Sequence, residues 1–329
     1  MNHAYSNDVR SIRFSLAKGG HTLKQLWVFP GQGGQHGGML APVPAVLKEQ
    51  VAALLDMSFP DTDAVYTDSV QLQVAIALLQ VSEAQELMAA GYTPELAAGH
   101  SLGVFAAAYS LGSLQLDDLF KVVHYRASLM QASYPSGYGM GVIVGLPRTS
   151  VAKLVAQVTT TDAPVYTSNQ NAPDQVALSG ELAAIDAVLQ LAKANGAAKA
   201  LRLRVPVPSH SPLMNGVAQK LTKAMAGVQL TPPQGIYLTN DGGRPTKDPE
   251  VIRRDLSDNL AHPVFFDDML AVAADYYPQV VVSFQPGQPF RKVLANRFSD
   301  DVHQIGLASM SIDDATFLLN KWERGSQNE

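Results

Sequence analysis

Cysteine is absent from the 329 residues, which excludes disulfides, thiolate metal ligands and a cysteine nucleophile. Any covalent chemistry needs another residue, and the lack fits a reducing, cytoplasmic setting. A basic excess is absent too: 24 Lys and Arg stand against 29 Asp and Glu, a formal charge of −5. Without a positive field, neither nucleic acid nor an anionic membrane is expected as a partner. The first 24 residues mix Asn, Asp, Arg, Lys and Ser with no sustained apolar run, so they lack the apolar centre of a secretory signal and read as a flexible tail. The most apolar windows, 70–81 and 270–284, are broken by Gln, Asp or Pro and are too short to span a bilayer. The histidines are scattered without close carboxylate partners, so no metal is expected. Charged residues total only 16% whereas hydrophobic ones reach 47%, a balance that can bury a large core and argues against a disordered chain.

What is present is an ordered alternation of helix and strand patterns. Residues 26–29 form a short apolar run that delivers the Gly-rich loop Pro30-Gly31-Gln32-Gly33-Gly34-Gln35. Helical spacing covers 70–90, with Gly91 in the usual terminating position. A strand at 96–98 leads through Gly99-His100-Ser101 into a helix over 102–111, and Asp117 and Asp118 open another that runs to about 131. From residue 139 the pattern becomes strand 140–146, helix 148–158, strands 165–168 and 175–179, helix 182–194 and strand 199–205. That β-α-β-β-α-β order is the ferredoxin-like unit, expected here as an insertion over 137–204. Residues 25–136 and 205–325 then form the main unit, with a buried strand at 279–284.

Gly99-His100-Ser101-Leu102-Gly103 is a G-x-S-x-G sequence between a strand and a helix. There the Ser101 hydroxyl stands on a sharp turn near a helix N-terminus whose N–H groups can stabilise an oxyanion. A serine capping an ordinary Gly-bounded turn accounts for the motif alone equally well. His210 is the candidate base, because Val207-Pro208-Ser209-His210-Ser211-Pro212 stiffens the backbone with two prolines. A surface-loop histidine is the alternative, and His100, the nearest rival, points away from Ser101 on such a turn.

Taken in order, Phe29-Pro30-Gly31-Gln32-Gly33, Gly99-His100-Ser101-Leu102-Gly103, Arg126, Asn169-x-Asn171 before Gln175-Val176, and Ser209-His210-Ser211-Pro212-Leu213-Met214 carry a resemblance. Over about residues 26–310 the chain resembles malonyl-CoA:acyl carrier protein transacylases. The resemblance implies an α/β fold, an α/β-hydrolase-like core with an inserted ferredoxin-like subdomain. It implies Ser101 as nucleophile, His210 as base, and the backbone N–H groups of Gln32 and Leu102 as the oxyanion hole. Arg126 would pair with the free malonyl carboxylate, and Met140 and Asn171 complete the substrate-binding residues; without the resemblance Arg126 reads as a surface charge near Asp117 or Asp118. Malonyl-CoA would be the substrate, an acyl carrier protein the partner, and no cofactor would be bound permanently. Three positions depart from the family pattern. Val104 replaces a common Glu, Phe265 stands where many members have Gln and where a backbone carbonyl is expected to orient the histidine, and Ser283-Phe284-Gln285-Pro286-Gly287 replaces Glu-x-Gly-Pro-Gly. Val104-Phe105-Ala106-Ala107-Ala108 and the linker around Tyr134, Tyr138 and Met140 look more like the transacylase (epsilon) subunit of malonate decarboxylase, whose carrier subunit is then the expected acceptor. The fatty-acid or polyketide transacylase is the alternative, with a serine hydrolase or a non-catalytic docking subunit behind it.

Overall fold

Ten strands run through the described part of the computed structural model, residues 23–134 and 136–326. They are β1 Gln25–Phe29, β2 Leu96–Gly99, β3 Tyr138–Val144, β4 Val165–Ala172, β5 Gln175–Glu181, β6 Lys199–Arg202, β7 Ile236–Leu238, β8 Pro245–Thr246, β9 Val280–Ser283 and β10 His303–Gly306. All but the last two residues of the expected tail at 1–24 lie outside the described residues.

The larger sheet has the order β10-β9-β1-β2-β7-β8, and its pairings are parallel except β7 with β8. β1 is buried at all five positions and β2 at all four. Both strands are covered on both faces, so apart from the buried Gln25 that opens β1 their sequences are apolar runs without a polar alternation. Leu26 and Val28 face a cluster with Phe266, Met269 and Phe290, while Trp27 and Phe29 face the other way, toward Phe284 and the helix Ser69–Ala89. That 21-residue helix is capped by the Asp68 side chain, which accepts from the Gln71 N–H, and is buried almost all round between Leu72 and Leu87. Its polar residues Gln73, Gln80 and Glu83 therefore lie inside the protein.

The second sheet is antiparallel with the order β4-β5-β3-β6, the ferredoxin-like arrangement. Helices Arg148–Val158 and Leu182–Ala194 close one face over Ile143, Val151, Val165, Val176, Leu178, Ile185 and Val188. All four strands differ in their bounds from the sequence pattern: β3 runs over Tyr138–Val144 where 140–146 is expected, and β5 continues to Glu181. β6 stops at Arg202, shortly before Pro206 and Pro208, which cannot donate to a ladder. β4 continues to Ala172, with register irregularities between Thr167 and Gln170 and again before Ala172. This bulged end docks on the larger sheet's unit: Gln170 N–H donates to Val264 O at 2.8 Å, and the Arg148 guanidinium bonds the Gln170 side chain and pairs with Asp268. No helix among the described residues is long and apolar enough to cross a membrane.

Candidate active site

The turn after β2 is forced by sterics. A Cβ on Gly99 would sit 2.3 Å from the Val104 nitrogen, and one on Gly103 2.1 Å from the Phe29 carbonyl oxygen. Only glycine at both positions lets the chain reverse between β2 and the helix Val104–Ser110. A short 3-10 turn, Ser101–Gly103, intervenes where the sequence pattern reads as one continuous helix. At its start Ser101 takes φ +55°, a left-handed conformation unusual for a residue with a side chain.

His210 also has a left-handed backbone, φ +62°, and is 2% exposed. Its Nε2 lies 2.7 Å from Ser101 Oγ. Its Nδ1 faces two backbone carbonyls, Asn259 O at 2.9 Å and His262 O at 3.2 Å. Carbonyls only accept, so Nδ1 carries the hydrogen and the lone pair of Nε2 points at the serine hydroxyl. Burial, with the nearby His100 and the Arg126 charge, pushes the His210 imidazole down to about 3. It is therefore neutral at pH 7 and free to accept a proton.

The orienting carbonyls correct the expectation at Phe265. Phe265 precedes the helix Phe266–Ala274, and its carbonyl accepts from Met269 N–H at 2.9 Å. It is thus committed to that helix, and the histidine is held by Asn259 and His262.

Arg126, on the helix Leu116–Ser133, is not a surface charge near Asp117 and Asp118: it is 1% exposed. One guanidinium nitrogen donates to Gln73 Oε1 and the other to Ser101 Oγ at 3.3 Å, while Nε has no partner among the described residues. No carboxylate among the described residues forms an ion pair with it. Burial lowers its value to about 10, which leaves it charged at neutral pH. The arrangement is a hydroxyl, a neutral imidazole and an uncompensated buried cation meeting at one oxygen.

The remaining expected residues are placed less uniformly. Leu102 follows Ser101 in the buried 3-10 turn. Gln32 follows Gly31, whose Cβ position lies 3.6 Å from the Ser101 Cβ, so the loop after β1 passes beside the serine. Asn171 meets His100 instead of Ser101, its Oδ1 lying 3.0 Å from His100 Nε2. Met140 is buried on β3. Val104 is wholly buried. In the Ser283–Gly287 segment, Gln285 gives its N–H and its Nε2 to Glu83, so the acid missing from this segment is supplied by the helix Ser69–Ala89.

Four contributors escape a reading of the sequence: Gln73, Asn240, Asp255 and Asn259. Asn240 Nδ2 donates to Gly99 O at 2.7 Å while its Oδ1 accepts from Ser101 N–H at 3.0 Å. The buried Asp255 is pushed up to about 7 by desolvation, against the hydrogen bonds it receives. The signal available for Gln73 was its place as a polar break in an apolar window.

The acyl transferase domain family matches residues 26–323. A malonyl CoA-acyl carrier protein transacylase of Salmonella typhimurium is 34% identical over 255 residues, 72% of this chain and 81% of that protein. The solved malonyl CoA-acyl carrier protein transacylase of Coxiella burnetii superposes with a TM-score of 0.83 at 27% identity, covering 92% of this chain and 97% of that one. A malonyl-transacylase solved in complex with its type II PKS acyl-carrier protein gives 0.83 at 28% identity, over 89% and 98%.

Proposed function

We propose, from the premise that this chain belongs to the acyl transferase domain family and to its malonyl CoA-acyl carrier protein transacylases, that it carries malonyl from CoA to a carrier-protein thiol through Ser101. It is an acyltransferase, and the residues that do the work are read as follows. His210 Nε2 takes the Ser101 proton as Oγ attacks the thioester carbonyl. The backbone N–H groups of Gln32 and Leu102 receive the developing oxyanion. The C–S bond breaks, the CoA sulfur recovers the proton from His210, and a malonyl ester remains on Ser101. The carrier thiol then repeats the steps in reverse and takes the acyl group.

The observation that carries the malonyl assignment is Arg126, a buried cation beside Ser101 without an anionic partner among the described residues. A planar guanidinium suits the free carboxylate of malonyl, with which it can form two parallel bonds. Because its charge helps hold His210 down, neutralisation by a bound carboxylate raises the basicity of the imidazole when the correct substrate arrives. Met140 and Asn171 are kept as pocket residues, Asn171 acting through His100. A neutral-ester hydrolase leaves Arg126 without a task, and a docking subunit leaves the whole Ser101, His210 and Arg126 arrangement without one.

For the acceptor, the relatives above are described as acyl carrier protein transacylases. This favours a carrier of fatty-acid or polyketide synthesis over the malonate decarboxylase carrier that the 104–108 and 134–140 stretches suggest. Intact-protein mass spectrometry tests both levels. Malonyl-CoA should leave a lasting malonyl ester on the wild-type protein and none on Ser101→Ala, with transfer reduced by several orders of magnitude. Unchanged transfer by Ser101→Ala would remove the nucleophile assignment. With both carriers supplied equally, faster loading of the decarboxylase carrier would reverse the choice of acceptor and leave the chemistry intact.

A further inference from the structure

Nδ1 of His210 meets carbonyls and not a carboxylate among the described residues, yet a buried carboxylate stands one step back in the hydrogen-bond network. Asp255 is 6% exposed, and its Oδ1 accepts from the Asn240 backbone N–H at 2.9 Å while its Oδ2 accepts from the Tyr237 hydroxyl at 2.6 Å. Asn240 is the residue whose side chain spans the elbow from Gly99 O to Ser101 N–H. On its other side, the Asp255 carbonyl accepts from Asn259 Nδ2 at 2.6 Å. Asn259 O receives His210 Nδ1, and the carbonyl of the next residue, Leu260, receives His210 N–H at 2.6 Å. One stretch of chain, 255–260, thus holds the nucleophile's turn at one end and the base at the other.

Both held residues need such support. Ser101 and His210 occupy left-handed backbone, which a side-chain-bearing residue keeps only where its surroundings over-determine it. A 2.7 Å contact between them is lost if either turn relaxes. We infer that Asp255 is the positioning residue of acyl transfer: its carboxylate anchors Asn240, and the backbone it begins anchors His210, so that Ser101 Oγ and His210 Nε2 meet in attacking geometry. The inference rests on the reading of Ser101 and His210 given above. It adds a residue that acts on the rate of the chemical step without touching the substrate.

The test measures the rate of malonyl-ester formation by rapid quench and intact mass, alongside malonyl-CoA affinity in a Ser101→Ala background. Asp255→Ala should slow acylation on the order of a hundredfold, the scale of a small misplacement of reacting groups. Affinity should stay within about threefold, because no substrate contact is removed. Asp255→Asn should restore most of the rate, since its Oδ1 still accepts from Asn240 N–H and the Tyr237 hydroxyl can turn to accept from its amide. Tyr237→Phe, which removes the other bond to the same carboxylate, should lower melting temperature more than rate. A folded Asp255→Ala that acylates at the wild-type rate overturns the inference, as does a loss equal in the Asn and Ala variants. If Asp255→Ala does not fold, Asn240→Asp decides: it keeps the acceptor for Ser101 N–H but loses the donor to Gly99 O, and a wild-type rate overturns the inference. A malonyl ester persisting in Ser101→Ala would instead sink the underlying reading. Absence of that ester, with an unimpaired Asp255→Ala, sinks the positioning role alone.

Discussion

His100 and His210 are both buried beside the turn at Ser101, and by burial and charge they are nearly alike. Burial holds both imidazoles far below the usual 6.5, His100 at about 4 and His210 at about 3. Their neighbours differ. His100 packs against the paired rings of Phe266 and Phe290, with centroids 5.3 and 4.9 Å away, and its Nε2 is bonded to the Asn171 amide. His210 gives Nδ1 to two carbonyls and turns Nε2 to the Ser101 hydroxyl. A lowered value therefore does not pick out the base. What decides is which ring nitrogen is left as an acceptor and what faces it.

The largest break in that comparison should come from His210→Ala, which is expected to slow acylation by roughly two to four orders of magnitude, the usual share of a general base. His100→Phe fills the same aromatic slot and should change the rate far less. Equal losses in a quench-flow comparison would place both histidines in the chemistry.

Arg126→Ala comes next. Removing one partner of a desolvated charge pair costs about 2–5 kcal/mol, so malonyl-CoA should suffer far more than acetyl-CoA, which lacks the second carboxylate. Equal losses for both thioesters would make Arg126 a structural residue. The charge has a second readout. Since Arg126 helps lower His210, Arg126→Gln should move the acid limb of the acetyl-CoA acylation profile upward, whereas in the wild type that limb lies below pH 6.5.

The smallest effect separates the two pockets in stability. Both histidines have folded values below 6.5, so the unfolded chain binds more protons below that pH, and stability is lost as pH falls from about 6.5 toward 4 and 3. The raised carboxyls work in the opposite direction: Glu83, at about 8, and Asp255, at about 7, lose stability as pH rises from the usual carboxylate range toward those values. His100→Phe should flatten the decline in melting temperature between pH 6.5 and 4 without removing it. An unchanged slope would show that His100 is not titrating as a buried group.

Short-range steric demands are what the chain states openly. Gly99 and Gly103 are required by backbone atoms within a few residues or on the adjoining strand, so the turn, its serine and the flanking strand and helix can be read in order. The same holds for the four-stranded sheet, where a change of period announces strand, helix, strand, strand, helix and strand. Longer-range partners are another matter. Ser101 is held by Asn240, 139 positions away, Arg126 by Gln73 at 53, and His210 by Asn259 at 49. Gln73 shows only as an interruption of an apolar helix, and nothing local tells what its amide faces.

The sequence by itself determined the strand, turn and helix around Ser101 and the order of elements in the four-stranded sheet, because periodicity and glycine sterics act between near neighbours; the roles expected of the site residues came with the family resemblance, and β7, β8 and β10 were not foreseen. Only the tertiary structure decided that Arg126 is buried with no anion beside it among the described residues, that Asn259 and His262 rather than Phe265 orient His210, and that Asp255 stands behind Asn240. Those outcomes depend on which polar groups are shut away from water together. A buried donor must find whichever acceptor the packed elements bring within reach, and that meeting is fixed by the fold as a whole.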